Sequence, residues 1–487
     1  MAWRADRDDG AGLVTRMRAT VWALVQQPPP CRLRELVAEL APPGLQAPAP
    51  PRPEEASAVA AAASLEAALN AEQRGAVDAV LRAHDFSLLR GLPGTGKTAT
   101  LCAAVAALVA RGASVLLACH THSALDNALA RLQAAGVPGL LRLGDPARAA
   151  PAVRALCLGG AAWPDAAGGG DAARVVGATC HACGSHPLLA RRRFHVAVLD
   201  EAAQVPLPLA LAPLCRADAF VLVGDPAQLP PLWAAPAARA GGGEESLFAR
   251  LATAHPSSVA SLTVQYRMAE DVQAVANALV YGGALRCGNE ATAQRRYVLP
   301  MAPPQSAPAW VRAALCPSVR VALLDTDALG PAAAEATRPL RNTGEAALAA
   351  AIAAAAVAAG APVGSLALMT PYNAQVEALQ AACAAAGLPA GAVETTTVDR
   401  AQGRDLPAVV LSCVRTAVAA PGGDEQQPAV NLLDDARRLC VALTRAQGKM
   451  LILASVKALR AQPLTAQLVD FCAQRSWLVT LPPDALQ

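Results

Sequence analysis

Residues Leu88–Thr100, LLRGLPGTGKTAT, join an apolar strand end to a helix through a loop of the form G-x-x-x-x-G-K-T. Glycines at 91, 94 and 96 let the backbone pass close enough for its N–H groups to face phosphate oxygens. The helix that follows adds its positive end. In this pattern Gly91, Gly94, Thr95 and Gly96 form the cradle. Lys97 reaches the β- and γ-phosphates, and the Thr98 hydroxyl ligates Mg²⁺. Lysine occurs only at Lys97, Lys449 and Lys457. An ammonium kept at this position therefore stands out in a chain that otherwise uses guanidinium.

Two further strand ends carry groups that suit phosphoryl chemistry. FHVAVLDEAAQ ends a strand on Asp200 and Glu201. Asp200 can hold Mg²⁺ through water, and Glu201 can orient and deprotonate an attacking water. The plainer alternative is an acidic pair opening a helix. AFVLVGDPAQLPP places Gln228 after another strand, where its amide can sense a γ-phosphate by hydrogen bonding. Together these strand ends describe one crevice for a nucleoside triphosphate. The loop alone leaves a small-molecule kinase, a switch and a motor open.

The elements that must position these groups follow from the rest of the chain. At 487 residues it is long enough for two to three domains. Its formal charge of +3 advertises no global basic surface, although a local groove is compatible with it. Thirteen scattered Cys, an odd number, read as reduced thiols of an intracellular protein, with no secretory leader at the acidic start. Cys180 and Cys183, with His181 and His186, invite a zinc reading, but no matching second pair supplies four ligands. The Ala-rich run ending APVGSLALM reads as a helix followed by a buried strand, because Gly360 and Pro362 break it. SVLLA, HVAVLD, AFVLVGD, SLALMTP and AVVLSCV are short apolar runs separated by helical stretches, as in buried parallel sheets. The Pro/Ala tract APAPPRPEE reads as a linker or surface connection, and WPDAAGGGDAA and RAGGGEES read as loops.

The strings LNAEQRGAV, CHTHSALDNALARL, DEAAQ, GDPAQLPPL, LTVQYRM, TTVDRAQGRDLPAVVLSCVR and DDARRLCVALTRAQGKMLIL occur in the order of the superfamily 1 helicases. Their form resembles the 5′-to-3′ branch. LLRLGDPARAAPAVR, VVGATC, HPLLARRRFHVAVLDEAAQ and YGGALRCG most resemble the helicase part of the eukaryotic DNA replication helicase/nucleases. The resemblance implies an α/β fold of two tandem RecA-like P-loop domains with parallel sheets and small accessory insertions. The expected division is an N-terminal remnant over 1–64, domain 1 over 65–262, domain 2 over 263–475 and a tail over 476–487. It further implies adenine recognition by Gln73 and arginine fingers at Arg267 and Arg445. Tyr266 is implied to lie near the nucleotide, with Gly403 and Asp405 in the γ-phosphate and ribose region.

The implied activity is ATP- and Mg²⁺-dependent 5′-to-3′ translocation on single-stranded or forked DNA, in replication and repair. The implied compartment is the nucleus, with the mitochondrion second. Single-strand-binding and replication-fork proteins are implied partners, and no membrane is. Expected strand contacts are Thr121, His122, Ser123, Asn127, Tyr372, Gln375, Thr397 and Asp399, since short polar side chains at strand-to-helix junctions suit phosphates. Each is otherwise a common helix cap. The resembled proteins carry a nuclease with an iron–sulfur cluster ahead of the helicase. Only Cys31 precedes Gln73, so neither the cluster nor nuclease activity is expected of these residues. An RNA helicase of the same branch, or an ATP-gated scaffold without unwinding, is the alternative reading.

Overall fold

A computed structural model describes residues 9–26, 32–158, 172–232, 242–333, 336–337, 340–416, 433 and 435–486. Cys31, most of the WPDAAGGGDAA loop and the start of RAGGGEES lie outside the described residues. The chain divides into two compact units, Met1–Pro226 with Pro230–Thr263, and Ala227–Leu229 with Val264–Gln487.

The first unit opens with helices α1 (Asp9–Val25), α2 (Arg32–Val37), α3 (Ala56–Ala67) and α4 (Ala71–Arg82). Its sheet and flanking helices follow as β1 (Phe86–Gly91), α5 (Lys97–Val109), β2 (Val115–Cys119), α6 (His122–Ala134), β3 (Leu140–Arg142), β4 (Val175–Thr179), β5 (Phe194–Asp200), α7 (Leu207–Leu214), β6 (Ala217–Gly224), α8 (Leu247–Ala254) and β7 (Val259–Leu262). The seven strands pair in parallel in the order β3-β4-β2-β5-β6-β1-β7. Strand alternation sends side chains to two separate cores. Val115, Leu117 and Cys119 join the α3, α4, α5 and α6 side, whereas Leu116 and Ala118 join the α7 and α8 side. Helix α5 is buried almost all round, as its unbroken run of Ala, Leu and Val requires. Leu117 is wholly buried, so Leu117→Ala would cost about 2–5 kcal/mol by opening a cavity under β2.

The Pro/Ala tract is a surface connection fastened to the end of α5. Arg52 N donates to Ala110 O at 2.8 Å, and Arg111 Nε donates to Ala49 O at 2.8 Å. Upstream, Arg32 pairs with Asp85 at 2.7 Å, and Gly44 N donates to the same carboxylate at 2.6 Å. These bonds hold the Asp85 carboxyl down at about 2, with Arg32 the largest cause.

The second unit carries a short pair, β8 (Val264–Gln265) and β9 (Arg286–Cys287), around α9 (Glu270–Ala276). Then come α10 (Ala309–Leu315), β10 (Val321–Asp325), a small antiparallel pair of β11 (Ala336–Thr337) and β12 (Leu340–Arg341), and α11 (Thr343–Ala358). They are followed by β13 (Leu366–Thr370), α12 (Asn373–Ala385), β14 (Glu394–Thr397), β15 (Leu406–Ser412), α13 (Ala436–Leu443), β16 (Ala446–Ala454), α14 (Pro463–Gln474) and β17 (Leu478–Thr480). Its main sheet is parallel, ordered β14-β13-β15-β16-β10-β17. The expected Ala-rich helix and buried strand are α11 and β13. Lys449 on β16 is buried, and its ammonium donates to Ala314 O at 2.7 Å, Cys316 O at 2.9 Å and Val319 O. Three carbonyls match the three N–H bonds of an ammonium and close the end of α10. No described helix is long and apolar enough to cross a membrane, and the twelve described cysteines are free thiols.

Candidate nucleotide and strand site

In the first unit the cradle forms between β1 and α5. Gly94 and Gly96 hold φ of +74° and +78°, a left-handed backbone that favours glycine. A Cβ on Gly91 would stand 2.1 Å from Lys97 Cγ, so the lysine needs a bare backbone beside it. Lys97 Nζ donates to Gly91 O at 2.7 Å, and Thr95 Oγ1 donates to Leu92 O at 2.7 Å. Thr98 sits half-buried on the first turn of α5.

Gln73 fastens this loop to α4. Its Oε1 accepts from Asn70 N at 2.9 Å, closing a capping box, while its Nε2 donates to Thr95 O at 3.0 Å. Next to it, Glu72 accepts from both the N–H and the hydroxyl of Thr263 at 2.7 Å, which ties α4 to the end of β7.

The acid pair sits at the end of β5, two strands from β1 in the sheet and next to β6, so three neighbouring strands end at one edge. Asp200 is 4% exposed, and burial, then Glu201, raise its carboxyl above the usual range against the pull of Lys97. Glu201 has φ of +52°, uncommon for a residue with a side chain. Its N–H donates to Asp200 Oδ1 at 2.9 Å, and its Oε2 accepts from Gln204 Nε2 at 2.9 Å. Strain held this firmly at a sheet edge is typical of functional positions. On β6, a Cβ at Gly224 would approach Ala203 N to 3.0 Å, so glycine there lets the turn after Glu201 close down.

A loop that a Cβ would fill, an ammonium folded over it and a buried carboxylate short of positive charge fit a nucleoside triphosphate with a divalent cation. Thr98 and Asp200 would hold Mg²⁺, which supplies charge neutralisation on the β- and γ-phosphates.

Gln228 follows the end of β6 by four residues. It is 5% exposed and groups with the second unit through Ala227–Leu229.

The expected strand contacts in the first unit cluster at the start of α6. Thr121 caps the helix, its hydroxyl accepting from Ala124 N at 3.2 Å, while Ser123 and Asn127 are exposed and His122 is half-buried. Beneath them lies a fully buried pair, Arg142 Nε donating to Asp126 Oδ1 at 2.6 Å. Neither residue carries a local sequence pattern that marks it.

In the second unit Arg267, Arg445 and Asp405 come together. Arg267 Nη2 pairs with Asp405 at 2.5 Å, and its Nη1 donates to Thr444 O at 3.3 Å. Its Nε is buried with no hydrogen-bond partner among the described residues. Arg445 is 1% exposed, donating from Nε to Val441 O at 3.0 Å and from Nη2 to Thr444 Oγ1 at 2.9 Å. Burial and then the neighbouring Arg267 lower its pKa to about 10. Two guanidinium groups beside one carboxylate leave a positive excess that an anion can satisfy. Gly403 has φ of +77°, and Tyr266 is 37% exposed with its ring laid over Gly288.

The remaining strand-contact expectations separate. Tyr372 is half-buried at the start of α12. Gln375 is wholly buried and is corrected to a structural residue. Its Oε1 accepts from Asn342 N at 2.7 Å, and its Nε2 donates to Asn342 O at 2.9 Å and Ser412 Oγ at 3.0 Å. Asp399 is also corrected, because both its oxygens accept from Arg438, at 2.9 and 3.3 Å, and a carboxylate repels phosphate. Thr397 is 7% exposed, its hydroxyl accepting from Arg400 N at 3.3 Å, which makes it a turn cap rather than a surface contact.

Two family models, each described as an AAA domain, match residues 68–162 with 170–235 and residues 243–457. The DNA replication ATP-dependent helicase/nuclease of Arabidopsis thaliana is 36% identical over 425 residues, covering 87% of this chain and 31% of that protein. The protein of the same description from Saccharomyces cerevisiae is 34% identical over 438 residues, covering 87% of this chain and 28% of its own length. A solved arterivirus nonstructural protein 10 helicase with DNA covers 82% of this chain and 65% of its own at 15% identity and a TM-score of 0.40, too slight a likeness to add to the fold above. The chain thus spans about a third of the length of these two relatives. With both AAA-domain models and the replication helicase/nucleases aligned across its two parallel-sheet units, the chain belongs to the superfamily 1 helicases and is similar to part of the DNA replication ATP-dependent helicase/nucleases.

Proposed function

We propose that this chain is an ATP-dependent 5′-to-3′ single-strand translocase that separates duplex DNA in replication and repair. The observation that carries the reading is the presence of two complementary chemistries in one chain. The first unit has a phosphate cradle with a buried acid, and the second has a paired arginine cluster in positive excess. A small-molecule kinase has no need of the second. The relatives' names, which print DNA replication, support DNA as the strand and the nucleus as the compartment; the mitochondrion is the second compartment of this proposal.

In this proposal the domains run 65–262 and 263–475. Lys97 and the cradle N–H groups bind the triphosphate, and Gln73 recognises the adenine. Glu201 takes the proton of the attacking water, while its bond to Gln204 orients the carboxylate. Arg267 and Arg445 stabilise charge developing on the γ-phosphate, with Asp405 holding Arg267 in place until the anion arrives. Gln228 senses the γ-phosphate, and Tyr266 and Gly403 lie beside the nucleotide. Because the arginines and the cradle belong to different units, hydrolysis is tied to movement between them, which is what a motor requires. Thr121, His122, Ser123, Asn127 and Tyr372 contact the strand. Separating one base-pair step costs ~1.4 kcal/mol on average, within one ATP cycle. Single-strand-binding and fork proteins are the proposed partners, and no nuclease chemistry or iron–sulfur cluster is assigned to these residues.

The test is strand displacement on forks with only a 5′ or only a 3′ single-stranded tail. ATP-dependent displacement of the 5′-tailed fork is expected. Equal action on both, or nucleotide-gated binding without displacement, would overturn the proposal. Stronger ATPase stimulation by RNA than by DNA of the same sequence would reassign the strand.

A further inference from the structure

The buried side of the α6 N-terminus fixes the chemistry of its exposed side. Arg142, the last residue of β3, is wholly buried, with Nε on Asp126 Oδ1 at 2.6 Å. The second Asp126 oxygen accepts from Ala150 N at 2.8 Å, so the carboxylate is held from two directions. The same guanidinium places Nη2 3.3 Å from His122 Nδ1. A guanidinium has five donors and no acceptor. His122 Nδ1 must therefore be the accepting nitrogen, and in the neutral ring the proton sits on Nε2, away from Arg142. Burial, then Arg142 and Arg148, lower the His122 pKa below its ordinary value, outweighing Asp126 and Asp145. The imidazole is accordingly neutral at pH 7, half-exposed, beside the exposed Thr121 and Ser123.

We propose that Arg142 is a positioning residue that locks His122 as a neutral Nε2–H donor to an oxygen of the nucleic-acid strand. This rests on the reading of the α6 N-terminus as a strand contact. The consequence is specific. A charged contact to single-stranded nucleic acid releases a counter-ion and adds about −0.7 to the slope of log affinity against log salt. A neutral donor adds affinity and leaves that slope alone. His122 thus holds the strand in register without adding to the electrostatic grip, so the contact breaks and reforms during stepping at a salt-independent cost.

The full chain has seven His, few enough for selective ¹⁵N-histidine labelling, with His122→Gln identifying the His122 signals by their loss. The wild type should show a neutral His122 ring protonated on Nε2. A neutral double variant, Arg142→Gln with Asp126→Asn, should release the ring into a tautomer mixture. A proton on Nδ1, or a charged ring, in the wild type would overturn the proposal.

Anisotropy of a labelled single-stranded oligonucleotide across a salt series gives the second readout. His122→Gln puts an amide nitrogen where Nε2 stood and should keep affinity within about threefold, while His122→Asn reaches only the Nδ1 position and should lose about tenfold, the scale of one hydrogen bond. Both should keep the wild-type salt slope. Equal affinities of the Gln and Asn variants, or a slope change near 0.7 in His122→Asn, would overturn the proposal. Wild-type protein that binds no oligonucleotide would overturn this proposal and the motor reading together. Normal binding with the wrong tautomer would overturn only this one.

Discussion

Gly96→Ala, set against Gly136→Ala, separates backbone strain from the loss of the cradle. Gly96 has φ of +78° and Gly136, just past the end of α6, has φ of +81°. Either substitution forces alanine into the left-handed region at about 1–2 kcal/mol. At Gly136 nothing lies within 4 Å of the new Cβ, whereas at Gly96 it would stand 2.5 Å from Gln73 Nε2. The Gln73 amide must then leave Asn70 N and Thr95 O, two hydrogen bonds at about 0.5–1.5 kcal/mol each. Gly136→Ala should therefore lower stability by about 1–2 kcal/mol and Gly96→Ala by about 2–5 kcal/mol. In a Gln73→Ala background the extra cost should vanish, leaving a coupling of about 1–3 kcal/mol in the cycle. The assay is urea unfolding of the four cycle members and Gly136→Ala, followed by ATP affinity. Gly96→Ala should weaken ATP binding by about tenfold or more, since misplaced cradle N–H groups forfeit at least one charged hydrogen bond. Gly136→Ala should bind as the wild type does. Equal destabilisation by the two glycine variants, or an additive cycle, would refute the reasoning.

Three further outcomes follow from particular contacts. Gln375→Leu removes the bonds to Asn342 N, Asn342 O and Ser412 Oγ. Unfolding should register about 1–3 kcal/mol for each group left unpaired, with oligonucleotide affinity of the folded protein unchanged. Arg267→Lys keeps the charge but not the planar guanidinium that reaches Asp405 and Thr444 O together, so strand-stimulated turnover should fall by about 10³-fold or more with ATP binding largely kept. The Asp85 carboxyl is lowered from 3.8 to about 2, chiefly by Arg32, so this pair stabilises the fold above pH 3.8 and stops doing so as pH falls through about 2. The unfolding midpoint of Arg32→Gln should lie below wild type at neutral pH, and the gap should close across that acid window.

What was legible depended on whether a residue's role was set locally. The phosphate cradle was readable because left-handed glycines and a lysine at the helix start act through backbone only a few residues away. The strands were readable because a parallel sheet covered on both faces needs uninterrupted apolar runs such as Val115–Cys119. Gln375 was misread because polarity at a strand-to-helix junction does not say which way the helix turns its face. It lies four residues before the buried Leu379, a spacing that places both on one side of α12. Arg142 was not readable, since β3 is three residues long and an arginine there resembles a surface residue until Asp126 arrives from α6. Asp399 looked like a strand contact until Arg438, distant in sequence, closed on it. Gln228 follows β6 in sequence yet groups with the second unit, which only the tertiary fold reveals.

The central claim is that a triphosphate held by Lys97 and its cradle is hydrolysed in response to a bound strand. The direct measurement is steady-state ATP hydrolysis by the purified chain, with and without a single-stranded oligonucleotide, beside Lys97→Ala. The wild type should be strongly stimulated by the strand, and the variant should show no turnover while retaining oligonucleotide binding. Hydrolysis indifferent to the strand, or undiminished in Lys97→Ala, would contradict the account.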